Sequence, residues 1–183
     1  VVKNLAYDFS YNSNKYFTIK DEIFINLYNS LHLFKLLYAL SNIAHKQSYS
    51  LLSDKLYIVN KIINGCDVYG GVELPKIYHL DHPVGTVLGR ADYSNYFSFQ
   101  QGCTVGGDRD LVYPKLGENV RLYANASIIG DCIIGDNVFV ASNSHIKNES
   151  VPANSLVFGS SPDLVVVSKD KSYFKSKSIL KIE

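Results

Sequence analysis

The 183-residue chain contains neither methionine nor tryptophan, and its formal net charge is only +1. A net charge so close to zero gives no reason to expect nucleic acid or an anionic membrane surface as a partner. The opening VVKNLAYDFSYNSNKY has no apolar run, so we expect no signal peptide, and the missing initiator methionine suggests a trimmed start. The length still allows a real core, in one domain with or without a subdomain.

Cysteine is also scarce, and its three positions are Cys66, Cys103 and Cys132. No two of them have the short spacing of a metal site, and any disulfide would leave one thiol over. We therefore expect reduced thiols in a cytoplasmic protein.

Long apolar runs are interrupted. The most hydrophobic stretch, IFINLYNSLHLFKLLYALSNI, is long enough to cross a bilayer, but it carries asparagine, histidine and lysine side chains that would be costly in lipid. We expect a packed amphipathic helix there and no membrane span. The pair Thr18 and Asp21 resembles a capping box at its start, and apolar residues then recur at helical steps: Phe24, Leu27, Leu31, Phe34 and Leu37.

A second helical pattern ends at Gly65, a residue typical of helix C-termini. Its apolar positions are Leu52, Leu56, Val59 and Ile63. We expect a mainly helical N-terminal subdomain over residues 1–65.

The second half of the chain repeats every six residues. Aliphatic residues stand six apart at Leu116, Leu122, Ile128, Ile134, Val140 and Ile146, and smaller residues follow each by four, at Val120, Ala126, Cys132, Val138, Ser144 and Ser150. A period of six predicts a solenoid in which each hexad forms one flat side of a triangular coil. The same period runs backwards through Val105, Phe99, Tyr93 and Val87. Asparagines at positions 125, 137 and 143 should form corners, because asparagine tolerates left-handed backbone.

The step from Val105 to Leu116 is eleven residues, so five have been inserted around GGDRDLVYP. A loop that leaves a regular solenoid is commonly functional. A harmless bulge is the other interpretation, because solenoid faces tolerate insertions.

These hexads resemble the hexapeptide-repeat acyltransferases, over about residues 66–167. The segments DVYGGVELPKIYHLDHPVGTVLG, GCTVGG and YPKLGENVRLYANASIIGD are most similar to serine O-acetyltransferases and to O-acetyltransferases of surface-polysaccharide pathways. The resemblance implies a left-handed parallel β-helix, with acetyl-CoA as donor, no metal, and a homotrimer with active sites between subunits. Residues 168–183 then form a lysine-rich tail, which we expect to be solvated, and the alternative is that its lysines, among them Lys177, supply the contacts to the coenzyme phosphate.

The resemblance also assigns catalytic roles. Leu80, Asp81 and His82 match the stretch that holds the family's catalytic histidine, and Asp67 stands at the matching distance of fifteen residues before it. Histidine near its ordinary pKa can take the proton of an attacking hydroxyl, and a carboxylate behind the ring stabilises the imidazolium. His79 is the rival base, although nothing in the family pattern matches it. Two ordinary corner histidines are the remaining interpretation.

The remaining site residues divide between acceptor and donor. Asp81 matches a position that contacts the acceptor. Tyr113 lies where serine acetyltransferases carry the second residue of an Arg-His pair, and Arg109, nearby in the inserted loop, is the candidate to substitute for the arginine. Backbone amides at Gly106 and Gly107 are candidates for holding an oxyanion. Ala124 and Ser142 match the small residues beside the pantetheine arm.

Two departures keep other functions open. Val112 and Tyr113 replace the Arg-His pair, and Asp163 and Leu164 stand where a basic residue usually reaches the coenzyme phosphate. A catalytically inactive trimeric scaffold or binding module is therefore an alternative. A zinc site of the carbonic-anhydrase type, built from His79, His82 and His145, is another. The residues leave open whether serine or a sugar is the acceptor, and which acyl group is transferred.

Overall fold

The computed structural model describes residues 1–12, 17–19 and 22–182, in which the chain forms four helices and fifteen strands. The helices are α1 (Val2–Ser10), α2 (Ser30–Lys46), α3 (Ser50–Asn64) and α4 (Lys171–Lys177). Within those ranges, no helix combines the length and the hydropathy needed to cross a bilayer. The strands are β1 (Thr18–Ile19), β2 (Glu22–Ile23), β3 (Tyr78–Leu80), β4 (Val87–Leu88), β5 (Asp92–Tyr93), β6 (Phe97–Phe99), β7 (Thr104–Gly106), β8 (Lys115–Leu116), β9 (Arg121–Leu122), β10 (Ser127–Ile129), β11 (Ile133–Ile134), β12 (Val138–Val140), β13 (His145–Lys147), β14 (Ser155–Phe158) and β15 (Val165–Ser168).

Strands β3 to β14 wind into a solenoid with three parallel sheets. Each strand pairs with the strand three further along the chain, except that β12 pairs with β14, and the sheet orders are β13-β10-β7-β4, β11-β8-β5 and β14-β12-β9-β6-β3. The antiparallel strand β15 extends the last sheet. The predicted hexapeptide solenoid is therefore confirmed as a stack of parallel coils. The N-terminal region is mainly helical, as expected.

The aliphatic positions of the hexads form the interior. Ile128 pairs with Ile146 eighteen residues on, and Leu122 pairs with Val140. These side chains are fully or almost fully buried, together with the thiols of Cys103 and Cys132. Burial raises the pKa of both thiols, so they act as small hydrophobic groups.

The period slips by one residue at each end of the solenoid. Leu88, and not Val87, is buried and pairs with Val105, while Val151 takes the interior place predicted for Ser150. Partners there are seventeen residues apart instead of eighteen, as in Ile134 and Val151. A shorter corner shifts the inward position by one residue, and a six-residue count does not detect it.

The insertion is visible in the register. Phe99 pairs with Leu122, and Val105 with Ile128, so these coils are twenty-three residues long. The five extra residues leave the solenoid as a loop after β7. In this loop, Leu111 has a φ of +59° and the amides of Asp110 and Val112 donate to the Asp108 carboxylate.

The corners carry a ladder of asparagines. Asn119, Asn137 and Asn154 all have positive φ, and their amides donate in series along the solenoid axis, at 2.9 and 3.0 Å. Asn125 and Asn143 form a second ladder at 3.0 Å. The side chain of asparagine thus serves both the left-handed backbone and the contact between coils.

The helical prediction needs correction. Helix α2 begins at Ser30, where the Asn29 side chain accepts from the amide of Leu31, and the predicted start Thr18 lies in β1. Asp21, the other member of the expected capping box, lies outside the described residues. The predicted helical residues Phe24 and Leu27 precede the helix and are exposed.

Helix α3 presents a polar face to the protein. Its buried residues are Ser53, Asn60 and Asn64, whereas the predicted apolar positions Leu52, Val59 and Ile63 are exposed. The Ser53 hydroxyl donates to the carbonyl of Ser41 on α2, and the Ser41 hydroxyl donates to the carbonyl of Ser53. A Cβ at Gly70 would come within 2.6 Å of both hydroxyls, so this crossing requires small residues. Tertiary packing here overrides the sequence periodicity.

Helix α1 is joined to α2 by a buried ion pair between Asp8 and Lys35. Lys35 also donates to the carbonyl of Tyr78 and lies 4.1 Å from the centre of that ring. The other Asp8 oxygen accepts from the amide of Tyr78 at 3.1 Å. The helices are thereby fixed to β3, the first strand of the solenoid.

The lysines of the C-terminal tail are exposed as expected, but the tail also packs on the solenoid through apolar residues. Phe174 on α4 is fully buried, with its ring 5.0 Å from that of Phe139 on β12. Beyond the helix, Leu180 forms an antiparallel bridge with Asn12, and Arg121 donates to the carbonyl of Lys177. The tail therefore links the outer face of the longest sheet to the N-terminal segment.

Candidate active site

The predicted base, His82, lies at the first corner of the solenoid, directly after β3. Its side chain is exposed and its φ is +48°, and the amide of Val84 donates to its carbonyl at 2.8 Å. The tight turn presents the ring to solvent. Strand β3, which leads into this corner, is buried, so packing fixes the backbone that precedes His82.

Asp67 runs alongside the segment that follows this corner. Its amide donates to the carbonyl of Thr86 at 2.8 Å, and Gly85 donates to Gly65 at 2.7 Å. Asp67 and His82 therefore belong to neighbouring backbone segments at the same end of the solenoid.

The Asp67 carboxylate is bound by helix α3. Tyr57 donates to one oxygen at 2.7 Å and Lys61 to the other at 2.5 Å. Partial burial raises the pKa of Asp67, but the bonds from Lys61 and Tyr57 outweigh it and leave the pKa below its ordinary value. Among the residues that the structure describes, no side-chain hydrogen bond joins Asp67 to His82.

Asp81 faces a different histidine. His79 is buried, with only 2% of its side chain exposed, and its Nε2 lies 3.7 Å from Asp81 Oδ1. The neighbouring His79, and to a smaller extent the charge of Arg121, lower the pKa of Asp81 against the opposing effect of burial. The carboxylate next to the predicted base is therefore ionised.

The inserted loop holds the predicted acceptor residues. Tyr113 accepts a hydrogen bond from Arg90 at 3.3 Å, and its ring lies against Gly107, where a Cβ would approach it to 2.7 Å. Arg109 is exposed and lines a cavity of about 510 Å³ with Asp108, Asp110 and Lys147. Neither side chain has a described contact with His82.

Of the predicted oxyanion residues, Gly106 ends strand β7 and Gly107 follows it. Gly106 pairs with Ile129, and a Cβ built on it would meet no atom within 4 Å. The open space lies on the outer face of the solenoid, beside the inserted loop.

Ala124 and Ser142 occupy equivalent corners of successive coils. Asn143, next to Ser142, donates to the carbonyl of Ala124 at 2.9 Å. Ser142 lines a cavity of about 320 Å³ with Tyr123 and with Tyr173 and Lys177 of α4. Sequence reasoning missed Tyr173 and named Lys177 only among the tail lysines, because nothing in the tail indicated that it folds back.

The predicted residues thus form separate groups within one chain: His82 with Asp81, Asp67 bound to α3 side chains, the loop with Arg109 and Tyr113, and the Ala124–Ser142 corner. Arg121, which was not predicted, lines a small cavity with Asp81 and His79. Its position in the hexad count, directly before Leu122, is the one signal that it points outward.

A further cavity lies elsewhere, and none of the predicted residues lines it. It measures about 560 Å³ between α1 and α2, and its lining includes Asp8, Lys35, Tyr38 and Glu73. The ion pair that joins α1 and α2 lies in its lining, together with residues 73–76 of the segment before β3.

Within residues 1–12, 17–19 and 22–182, no group of three histidine, cysteine, aspartate or glutamate side chains is arranged to hold a metal ion.

Comparison with known proteins agrees with this architecture. Residues 113–148 match the family model described as bacterial transferase hexapeptide (six repeats). The chain is 29% identical over 127 residues to the serine acetyltransferase of Staphylococcus xylosus, covering 63% of this chain and 58% of that protein. It is 26% identical over 138 residues to that of Helicobacter pylori, covering 73% and 80%.

Solved structures show the same fold. The serine acetyltransferase of Neisseria gonorrhoeae superposes with a TM-score of 0.78 at 24% identity, covering 96% of this chain and 70% of that one. A serine acetyltransferase in complex with CoA gives 0.74 at 21% identity, covering 91% and 69%.

The predicted resemblance is confirmed. The chain carries the hexapeptide repeat and is similar to serine acetyltransferases in sequence and fold, and it spans about three fifths of the S. xylosus relative.

Proposed function

We propose that this protein is an acyl-CoA-dependent O-acetyltransferase that transfers acetyl from acetyl-CoA to a hydroxyl of serine or of a sugar used in surface-polysaccharide synthesis. The observation that carries the proposal is the exposed His82 at a fixed corner, beside the ionised Asp81, in the fold of the serine acetyltransferases. We also infer from that likeness that the solenoid is left-handed.

In this reaction, a ring nitrogen of His82 takes the proton of the acceptor hydroxyl as its oxygen attacks the thioester carbonyl. The carbonyl oxygen becomes negative, and backbone amides at Gly106 and Gly107 are our candidates for stabilising it. The carbon–sulfur bond then breaks, and the leaving thiolate recovers the proton from His82. The products are the acetyl ester and free coenzyme A.

Asp67 and Asp81 have separate parts in this scheme. Asp67 is ionised, which suits a carboxylate that stabilises the imidazolium of His82. Its bonds to Lys61 and Tyr57 fix it to α3. Asp81 would bind the acceptor, through an amino group of serine or a sugar hydroxyl. Arg109 and Tyr113 would complete the acceptor side, and Ala124 and Ser142 the donor side.

The separation of these groups within one chain supports a homotrimer with sites between subunits. Exposed apolar residues on two other sheets, Val87 of β4 and Ile133 of β11, offer surface for such contacts. We infer a cytoplasmic enzyme, since its three cysteines are buried free thiols. A monomeric mass at micromolar concentration would contradict the trimer.

An inactive trimeric scaffold is the second candidate. It is favoured by the engagement of Asp67 with Lys61 and Tyr57, and by Asp163 and Leu164 at the expected basic position.

Free-thiol release from acetyl-CoA separates the two candidates, measured with serine, nucleotide sugars and oligosaccharides as acceptors. We expect His82→Ala to lower kcat by about 10²–10⁴-fold. Its control is His45→Ala, which removes another exposed histidine, on α2. Binding of coenzyme A without acceptor-dependent release by the wild-type protein would favour the scaffold.

A further inference from the structure

His79 is more than a buried neighbour of the predicted base. Its Nδ1 lies 2.6 Å from the side-chain amide nitrogen of Asn12. An amide NH₂ can only donate, so Nδ1 accepts, and the neutral ring then carries its proton on Nε2. The N-terminal segment thereby sets which nitrogen of His79 is the donor.

That donor points at Asp81. Nε2 is shielded from solvent and has no hydrogen-bond partner in the described part of the chain, and Asp81 Oδ1 lies 3.7 Å from it. The two side chains line a polar cavity of about 50 Å³ with Ser98, Gln100 and Arg121. A distance of 3.7 Å is slightly longer than a hydrogen bond, and catalytic contacts often shorten when substrate binds.

The backbone around this pair is rigid. His79 lies in β3, opposite Ser98 of β6, and the amide of Asp81 donates to the carbonyl of Phe99 at 2.9 Å. Asp81 is half-buried, and it directly precedes the exposed His82. A charge on His79 is disfavoured, because burial lowers its pKa more than Asp81 raises it. His79 is therefore suited to orient a carboxylate and unsuited to act as a base.

We propose that His79 is a positioning residue, which holds the Asp81 carboxylate toward the acceptor beside His82. The proposal rests on the proposed function. It explains why a polar ring occupies a buried strand position. The contact with Asn12 uses only Nδ1, and the contact with Asp81 gives Nε2 an acceptor as well. It also makes the N-terminal segment part of acceptor binding, because Asn12 fixes the tautomer.

Two substitutions separate positioning from simple packing. The amide of glutamine approximates Nε2 of histidine, and that of asparagine approximates Nδ1. His79→Gln should keep the contact with Asp81, and His79→Asn should keep only the contact with Asn12. We expect His79→Asn to lower kcat/KM for the acceptor about 10-fold to 100-fold with an unchanged KM for acetyl-CoA, and His79→Gln to restore most of it.

Equal losses in the two variants, or a loss confined to the donor KM, would overturn the proposal. Melting temperature and oligomer mass are measured alongside, since a residue needed only for packing would lower these in both variants.

A second measurement needs no change at His79. Asp81 raises the pKa of His79, so Asp81→Asn should lower the pKa of that ring, followed by NMR titration. The exposed Asp131→Asn is the matched control. An unchanged His79 titration in Asp81→Asn would refute the contact. This titration is independent of turnover. An inactive wild-type protein with the expected titration would therefore refute the proposed function and, with it, the role in acceptor binding, while the contact itself stood.

Discussion

The helical region and the solenoid are stabilised by different means. In the solenoid, each coil buries aliphatic side chains at hexad positions, and successive coils repeat the same contacts. The helical region buries an Asp8–Lys35 ion pair, and α3 turns Ser53, Asn60 and Asn64 inward. The solenoid is therefore specified by a period, and the helical region by individual partners.

This difference explains where sequence patterns succeed. A repeat averages over many positions, so one exceptional residue does not change the prediction. A helix packed through a few polar pairs offers no such average, and its exposed apolar face suggests the wrong side. The predictions below test this contrast, beginning with the largest expected effect.

Removing one member of the buried pair should be the most damaging change. Lys35→Met leaves the Asp8 carboxylate without its partner, which should cost about 3–5 kcal/mol of unfolding free energy. The control, Lys46→Met, breaks an exposed pair with Glu73 and should cost about 0–1 kcal/mol. Denaturant titration measures both, and similar values for the two would show that the helical region does not depend on this pair.

A cavity inside the solenoid should cost nearly as much. Ile128 is fully buried, so Ile128→Ala should lower the unfolding free energy by about 2–5 kcal/mol. Ile133, five residues on, is 59% exposed, and Ile133→Ala should stay within about 0.5 kcal/mol. If the exposed site were the more sensitive one in the assembled protein, it would mark a contact between subunits.

The corners should show a smaller, conformational effect. Asn137 has a φ of +54°. Both Asn137→Ala and Asn137→Gly remove its two ladder bonds, but only alanine is strained in this backbone region. The unfolding free energy of Asn137→Ala should therefore be lower than that of Asn137→Gly by about 1–2 kcal/mol, measured by denaturant titration. Equal stabilities would mean that the side-chain ladder alone matters.

The smallest effect concerns the link between the two regions. Lys61→Met removes a bond that lowers the pKa of Asp67, so that pKa should rise toward 3.8 or above. A lowered pKa stabilises the folded state above the unfolded-state pKa, and this stabilisation is lost as the pH falls through the folded value. The variant should thus be slightly less stable at pH 7 and equal to wild type once Asp67 is protonated. Lys55→Met, elsewhere on α3, should show no such pH dependence.

Much of the fold could be predicted, because Leu116 to Ile146 obey one period without exception. The slips at Val87 and Ser150 could not, since each depends on the length of a single corner. At the site, the fifteen-residue spacing and the Leu-Asp-His stretch led to Asp67 and His82, whose roles stay predictions. The attachment of Asp67 to Lys61 and Tyr57, and the folding back of α4, depend on tertiary contacts that leave no local pattern.

The eighteen-residue coil imposes a rule on how the length of this protein can change over evolution. Because paired residues such as Ile128 and Ile146 stand eighteen apart, duplicating or losing eighteen residues would add or remove one turn and leave every later strand in its own sheet. A gain of six would instead transfer each later strand to the neighbouring face and separate residues such as Ala124 and Ser142. The five residues added before Tyr113 avoid this because they leave the solenoid as a loop. Apart from a one-residue change at a corner, as between Ile134 and Val151, length variation is therefore neutral only in whole turns or in loops that leave the solenoid.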